Sequence, residues 1–76
     1  MDVLQEIFVE VLNIPETEIT NQLSPTTFKA WNSMAHMKLV MAMEESFDIV
    51  FTVDDVKSIK SFADAREILI QKGVAA

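Results

Sequence analysis

The 76-residue chain has room for one domain, 1–76, and its composition of 50% apolar and 24% charged residues is that of a globular protein. Its 12 acidic and 6 basic residues give a formal charge of −6, which disfavours nucleic acid and anionic membrane surfaces as partners. Cysteine is absent and histidine occurs once, which excludes disulfides, thiolate metal sites and histidine-cluster metal sites.

The first predicted element is an amphipathic helix that begins at Val3. Its apolar residues follow the helical spacing of three and four, with glutamates on the opposite side. Asp2 can cap the first turn, and Pro15 disfavours helical geometry at the residue before it, so the helix should end near Asn13. The apolar positions are Val3, Leu4, Ile7, Phe8, Val11 and Leu12.

A long loop is predicted for residues 14–32, because both prolines and several threonines fall there without a sustained apolar period. Long ordered loops in compact domains tend to be functional. We expect Leu23 and Phe28 to pin the loop to the core. A short helical turn is expected around residues 16–19.

Helix two should run from Ser33 to Phe47, and either Asn32 or Ser33 can cap it. The segment that follows, residues 49–51, has strand propensity. Since no other segment offers it a partner strand, we interpret it as a connector.

Two further helices are predicted from capping signals. Residues 52–55 and 61–64 both have the Ser/Thr-x-x-acid form of a capping box, with Asp as the acid. They indicate a short third helix near 54–59 and a fourth near 62–72, which Gly73 should end. The expected fold class is therefore all-α, as a small four-helix bundle with a long first loop and a short third helix.

Helix two has two apolar faces when its residues are placed at about 100° each. A small bundle should not bury both. The second face is either a docking surface, which flexible thioether side chains suit, or a surface covered by the long loop. The core-facing residues are Leu39, Val40, Met43 and Phe47; the second face is a methionine stripe of Met34, Met37 and Met41, flanked by Lys38, Glu44 and Glu45.

Ser33 lies where the long loop becomes helix two, and its position has two interpretations. A serine at this point can be a plain N-cap. It can also be a site of covalent modification, since free amides and the positive end of the helix dipole stabilise an attached anion such as a phosphodiester. Self-contained catalysis is not expected, because no orienting acid accompanies His36 in the surrounding sequence.

Residues 31–51 read Trp-Asn-Ser-Met-Ala-His-Met-Lys-Leu-Val-Met-Ala-Met-Glu-Glu-Ser-Phe-Asp-Ile-Val-Phe, and this segment resembles the signature of the acyl carrier proteins. That family shows Asp-Ser-Leu at the start of its second helix, followed by a stretch like Leu-Val-Met-Ala-Leu-Glu-Glu-x-Phe. The similarity continues through Ile59, Ser61 and Phe62 to Ile68 and Leu69. With the pattern of helix one it covers nearly the whole chain.

The resemblance implies a carrier and not an enzyme. Ser33, with Asn32 and Met34 beside it, would hold 4′-phosphopantetheine, transferred from coenzyme A by a separate phosphopantetheinyl transferase. The thiol of this arm would carry an acyl or aminoacyl group as a thioester, which accounts for a carrier without cysteine.

The resemblance also implies a docking face and a cargo cleft. Partners of the kinds expected, acyl or aminoacyl ligases and acyltransferase-type enzymes, would dock on helix two through Met34, Met37, Lys38, Met41, Glu44 and Glu45. A cleft between helices two and three would shelter the cargo, and its implied lining is His36, Leu39, Met43, Phe47, Val56 and Ile59.

Three departures from the family pattern bear on function. Asn32 stands where the family usually has Asp, which removes a charge used in contact with the transferase, so we expect modification to be slower or to need a dedicated enzyme. Lys38 and Lys57 occupy positions that are commonly acidic in carriers of bacterial fatty acid synthesis. These two lysines favour a specialised pathway, for polyketide, lipid-like or related products.

Two other functions are alternatives to this acyl carrier. One is an aminoacyl or D-alanyl-type carrier, and the other is a cofactor-free helical adaptor that binds through the methionine stripe.

His36 should project toward the core as a packing residue with a local hydrogen bond. A sharper hypothesis is that it touches the pantetheine arm or gates the mouth of the cleft. Trp31 should anchor the end of the loop.

Other expectations concern location and ligands. The N-terminus lacks the basic start of a signal peptide, and no apolar run is long enough to span a membrane, so we expect a monomeric cytoplasmic protein without membrane insertion. No metal site is expected; Asp48, Asp54 and Asp55 lack the ligand spacing of a calcium loop.

Overall fold

A computed structural model describes residues 1–74 as four α-helices joined by irregular segments. No strand occurs within these residues, so the all-α prediction is confirmed and residues 49–51 form a connector. None of the helices in this range combines the length and apolar character needed to cross a membrane. The elements are α1 (Val3–Leu12), a 3₁₀ turn (Glu16–Glu18), α2 (Ser33–Phe47), α3 (Val53–Ser58) and α4 (Phe62–Gln71).

Capping groups determine where the helices begin and end. At the start of α1, the Asp2 carboxylate accepts a hydrogen bond from the Gln5 N–H at 2.8 Å and the Gln5 side chain accepts from the Asp2 N–H at 2.9 Å. Asn13 and Asp48 end α1 and α2 in the left-handed conformation, with φ of 54° and 53°. Short polar side chains tolerate this conformation better than others. Gly73, with φ of 87°, follows α4 as predicted.

Of the two capping boxes predicted from the sequence, one is complete and one is only half formed. At α3, Thr52 and Asp55 exchange both bonds. At α4, the Ser61 hydroxyl accepts from the Asp64 N–H at 3.1 Å, but the Asp64 carboxylate accepts from the Lys60 N–H instead of the Ser61 N–H. The prediction of a full box at α4 is wrong because the backbone at Ser61 is more extended, with φ of −160° against −79° at Thr52, and this turns its N–H away.

Three aromatic rings meet at the centre of the core. Phe8 of α1 is fully buried and contacts Trp31 and Phe62 edge to face, with ring centroids 5.2 and 4.9 Å apart. Helix α3 contributes no fully buried side chain. The buried residues are Leu4, Ile7, Phe8, Leu12, Ile14, Leu23, Trp31, Ala35, Leu39, Val40, Met43, Phe51, Ile59, Phe62, Ala65, Ile68 and Leu69.

The long loop packs against the start of α4. Leu23 is buried and Phe28 packs against the core, as the sequence predicts. The first amides of α4 donate into the loop, from the Phe62 N–H to the Leu23 carbonyl at 2.8 Å and from the Ala63 N–H to the Asn21 carbonyl at 3.3 Å. The loop does not cover the methionine stripe, whose three side chains are 69%, 49% and 62% exposed.

Replacing Phe8 with alanine should remove most of the stability of this small domain. Truncating a fully buried phenylalanine costs about 3–5 kcal/mol, and whole domains are stable by only about 5–15 kcal/mol. Urea unfolding followed by circular dichroism measures the loss. Val3→Ala is the control on the same helix, because Val3 is half exposed and its truncation should cost less than about 0.5 kcal/mol. Equal effects of the two substitutions would contradict the central role of Phe8.

Candidate functional site

Asn32, and not Ser33, caps α2. Asn32 has an extended backbone, and its Oδ1 accepts a hydrogen bond from the Ala35 N–H at 2.9 Å. Ser33 is the first helical residue, with an exposed side chain. Within residues 1–74 its hydroxyl forms no protein hydrogen bond, so the interpretation of Ser33 as the cap is wrong and its oxygen is accessible.

The N-terminal end of α2 provides a favourable field for an anion on Ser33. The N–H groups of Ser33 and Met34 have no acceptor among the described residues, since Asn32 accepts from the third amide of the helix. The first turn of α2 contains no acidic residue. The positive end of the helix dipole therefore meets no competing side-chain charge from its own first turn.

His36 bridges the loop, α2 and α3. The Trp31 indole N–H donates to Nδ1 at 2.9 Å, and Nε2 lies 2.9 Å from the Val56 carbonyl oxygen. Because an indole N–H can only donate and a carbonyl can only accept, these partners assign the proton of a neutral ring to Nε2. The His36 ring also stacks on Trp31, with centroids 5.9 Å apart and planes 23° apart.

The bridge leaves His36 no free ring nitrogen with which to activate Ser33. An activated serine needs a base within hydrogen-bond reach, and both nitrogens of this base already have partners. Among the described residues no group of His, Asp and Glu could hold a metal ion, and this includes Asp48, Asp54 and Asp55.

A cavity of about 600 Å³ opens beside Ser33, between the end of the loop, the first turns of α2, and α3. Its surface is mainly apolar, and its lining also includes polar and cationic side chains. Ser33 lies in the lining, so a group attached there would have direct access to the cavity. The lining residues are Pro25, Thr26, Trp31, Asn32, Ser33, His36, Met37, Val56, Lys57, Ile59 and Lys60.

The structure brings His36, Val56 and Ile59 of the predicted cargo cleft to this cavity and leaves the other three predicted residues out. Leu39 and Met43 are 1% and 0% exposed because they are packed inside the core. Phe47, in the last turn of α2, packs against the core without reaching the cavity. The core-facing side of α2 therefore serves the fold beyond its first turns.

Several lining residues were not predicted from the sequence. Pro25 and Thr26 come from the loop, and Lys60 comes from the connection between α3 and α4. Their sequence distance from Ser33 gave no signal, since only the folding of the loop and of α3 against α2 brings them together. Trp31 was predicted as an anchor of the loop and not as a lining residue, although its position two residues before Ser33 could have indicated a place in the cavity.

The predicted docking residues divide into an exposed group and one engaged residue. The methionine stripe, Lys38 and Glu45 are exposed. Glu44 is partly buried, and its carboxylate accepts a hydrogen bond from the Phe51 N–H at 2.8 Å. Glu44 therefore holds the connector in place, which limits its availability to a partner.

Helix α3 is held by polar bonds more than by burial. In addition to the Val56–His36 bond, the Asp55 carboxylate accepts from Lys72 Nζ at 2.8 Å. The hydrogen bond from Lys72 lowers the pKa of Asp55 most, and the Thr52 N–H lowers it further. These bonds position one wall of the cavity.

The Asp55–Lys72 pair should make stability depend on pH on the acid side. Because the folded-state pKa lies below the ordinary value of 3.8, Asp55 stabilises the fold fully above that value and loses its contribution as the pH falls through the folded-state pKa. Asp55→Asn should lower the free energy of unfolding at neutral pH and reduce its decline in acid, as measured by urea unfolding at several pH values. Asp54→Asn removes the same charge from an exposed neighbour without an ion pair in the described chain. An identical acid response in wild type and Asp55→Asn would contradict the assignment.

Removing the His36 side chain should destabilise the protein and admit water to Trp31. His36→Ala leaves the buried indole N–H without its acceptor, which costs about 1–3 kcal/mol. The emission of the single tryptophan should shift to longer wavelength, since Trp31 is only 2% exposed in the intact protein. Met37→Ala, in the next position and also at the cavity, is the control and should leave the emission unchanged. Unchanged emission and stability in His36→Ala would contradict the bridge.

Comparison with known proteins identifies the chain. No protein-family model matches it. An acyl carrier protein of Acidothermus cellulolyticus is 32% identical over 73 residues, which cover 96% of this chain and 87% of that protein. An acyl carrier protein of Bdellovibrio bacteriovorus is 31% identical over 72 residues, which cover 95% of this chain and 92% of that protein. With this identity over nearly its whole length, the chain belongs to the acyl carrier protein family, and it is a carrier and not an enzyme.

Proposed function

We propose that Ser33 carries 4′-phosphopantetheine, received from coenzyme A through a phosphopantetheinyl transferase, and that the thiol of this arm holds acyl intermediates as thioesters. One observation supports this above the others. Asn32 caps α2, which leaves the hydroxyl of Ser33 exposed at the first residue of the helix and without a hydrogen-bond partner in residues 1–74.

The surroundings of Ser33 suit an attached 4′-phosphopantetheine. Its phosphodiester would lie against the free amides at the start of α2, where the helix dipole favours negative charge. When bound, the group supplies the thiol that a chain without cysteine lacks. The protein's own part is to fix the attachment point, through the Asn32 cap, and to offer the cavity beside it.

Partner enzymes would dock on the exposed methionine stripe. Met34, Met37 and Met41 form an accessible apolar strip on α2, flanked by Lys38 and Glu45. Thioether side chains adapt to different partners, which suits a carrier that must meet a transferase, a ligase and acyltransferase-type enzymes in turn. Tethering the intermediate to a docking domain makes each transfer effectively intramolecular.

The pathway we propose is a specialised one, for polyketide, lipid-like or related products. Lys38 and Lys57 are both exposed, so each can contribute to the choice of partner through its charge. The α2 residues that line the cavity all lie between Ser33 and Met37, which favours a short cargo. An aminoacyl cargo is the alternative within the same class. We place the protein in the cytoplasm as a monomer.

Incubation with coenzyme A and a broad-specificity phosphopantetheinyl transferase should add the mass of one phosphopantetheinyl group to the intact wild-type protein. Ser33→Ala should gain nothing, because it lacks the acceptor oxygen. Ser46→Ala, which removes another exposed hydroxyl from α2, should gain the full mass. No gain in wild type, or an equal gain in Ser33→Ala, would overturn the proposal. A cofactor-free adaptor that binds through the methionine stripe would then be the remaining candidate.

Asn32→Asp should speed the modification. Aspartate caps a helix as well as asparagine does, so the fold should be kept. It also restores the negative charge that family members usually present to the transferase, and we expect kcat/KM to rise about tenfold through faster association. Asn21→Asp adds the same charge in the exposed loop and is the control. Equal modification rates for wild type and Asn32→Asp would show that the missing charge has no effect.

A further inference from the structure

The cavity beside Ser33 has a local charge opposite to that of the protein. The chain carries a formal charge of −6, yet the lining contains two lysines, Lys57 and Lys60, and no carboxylate. Lys57 comes from α3 and Lys60 from the connection to α4. Two of the chain's 6 basic residues thus line the cavity that Ser33 also lines.

Both lysines are available to a ligand. Within residues 1–74 neither forms an ion pair, whereas Arg66 pairs with Asp2 at 2.9 Å and Lys72 pairs with Asp55 at 2.8 Å. Both side chains are exposed. As far as the described residues show, an anion can therefore pair with either ammonium group without first breaking an ion pair.

The rest of the cavity suits the apolar part of an arm or cargo. Its lining includes Trp31, Val56 and Ile59, which offer apolar contact next to the two exposed lysines. The ring nitrogens of His36 are both engaged and offer nothing to a ligand. Lysine ammonium groups attract carboxylate and phosphate, and they repel the ammonium group of an aminoacyl cargo.

We propose that Lys57 and Lys60 bind an anionic group in this cavity, an inference that rests on the proposed attachment at Ser33. The anion has two sources, the phosphate of the pantetheine arm or a carboxylate at the far end of a short apolar cargo. Either one would hold the arm against α3. The same charges select against aminoacyl cargo, which deepens the assignment as an acyl carrier.

The test uses the modified protein with cargo joined to the arm through an amide, which does not hydrolyse. Adipoyl and hexanoyl arms have the same chain length and differ in the terminal carboxylate. Occupancy of the cavity is read from the backbone amide NMR shifts of Val56 and Ile59. The shifts of the loaded protein are compared with those of protein that carries an unloaded arm. The shifts of the protein with an unloaded arm are compared with those of unmodified protein. The double variant Lys57→Gln/Lys60→Gln is compared with wild type and with Lys29→Gln, an exposed lysine outside the cavity.

We expect occupancy of the cavity by the adipoyl arm to fall about threefold to tenfold in the double variant, because two exposed charge pairs contribute a binding energy of this size. Occupancy should be unchanged in Lys29→Gln. The effect should weaken with added salt. A fall for adipoyl alone identifies the carboxylate as the anion. An equal fall for both cargoes and for the unloaded arm identifies the phosphate. If occupancy is the same in the double variant and in wild type for the adipoyl, hexanoyl and unloaded forms, the inference is overturned.

A second experiment does not need Ser33 to be modified. The unmodified protein is titrated with 4′-phosphopantetheine, adipoyl-pantetheine amide and hexanoyl-pantetheine amide, and the same two NMR signals are followed. Lysine-dependent shifts with either anionic probe support the cavity site even if the mass experiment on Ser33 fails. Shifts that are identical in wild type and in the double variant contradict it while leaving the attachment at Ser33 intact.

Discussion

Burying Trp31 places a demand on the rest of the molecule, because its indole N–H must find an acceptor inside the protein. The ring packs edge to face against Phe8 in the centre of the core, and its N–H donates to His36. His36 then reaches the carbonyl of Val56, which belongs to a helix with no fully buried side chain. A single hydrogen-bonded chain thus joins the hydrophobic core to the end of the loop, to α2 and to α3. The wall of the cavity depends on it.

The start of α2 separates two tasks that one residue cannot perform together. A hydroxyl that caps a helix is engaged with the backbone and is less accessible for modification. Asn32 takes the capping role with its side-chain oxygen, and Ser33 follows one residue later as the exposed first residue of the helix. Among the described residues, the same arrangement leaves the amides of Ser33 and Met34 without an acceptor, so one local geometry both caps the helix and provides a favourable field for an anion.

The charged side chains of this small acidic protein differ in whether they hold the fold together or remain outside such contacts. Arg66 and Lys72 are used to fasten α4 to the start of α1 and to α3, respectively. Glu44 is used to hold the connector after α2. Lys57 and Lys60 remain outside these pairs in the described chain and lie at the cavity. A net charge alone would suggest basic partners everywhere, whereas the structure places two lysines at a cavity that borders the exposed methionine stripe at Met37.

The sequence by itself determined the helices, the faces of α2 and the place of Ser33, because periodicity, capping residues and prolines act over a few neighbouring positions. It also identified the family through residues that are contiguous in the chain. The sequence offered both Asn32 and Ser33 as caps of α2, and the structure shows Asn32 in that role. Tertiary structure alone decided that Leu39 and Met43 do not line the cavity, and that Pro25 and Lys60 meet there. Such outcomes depend on how the loop and α3 dock, and sequence spacing does not encode distances between separate elements.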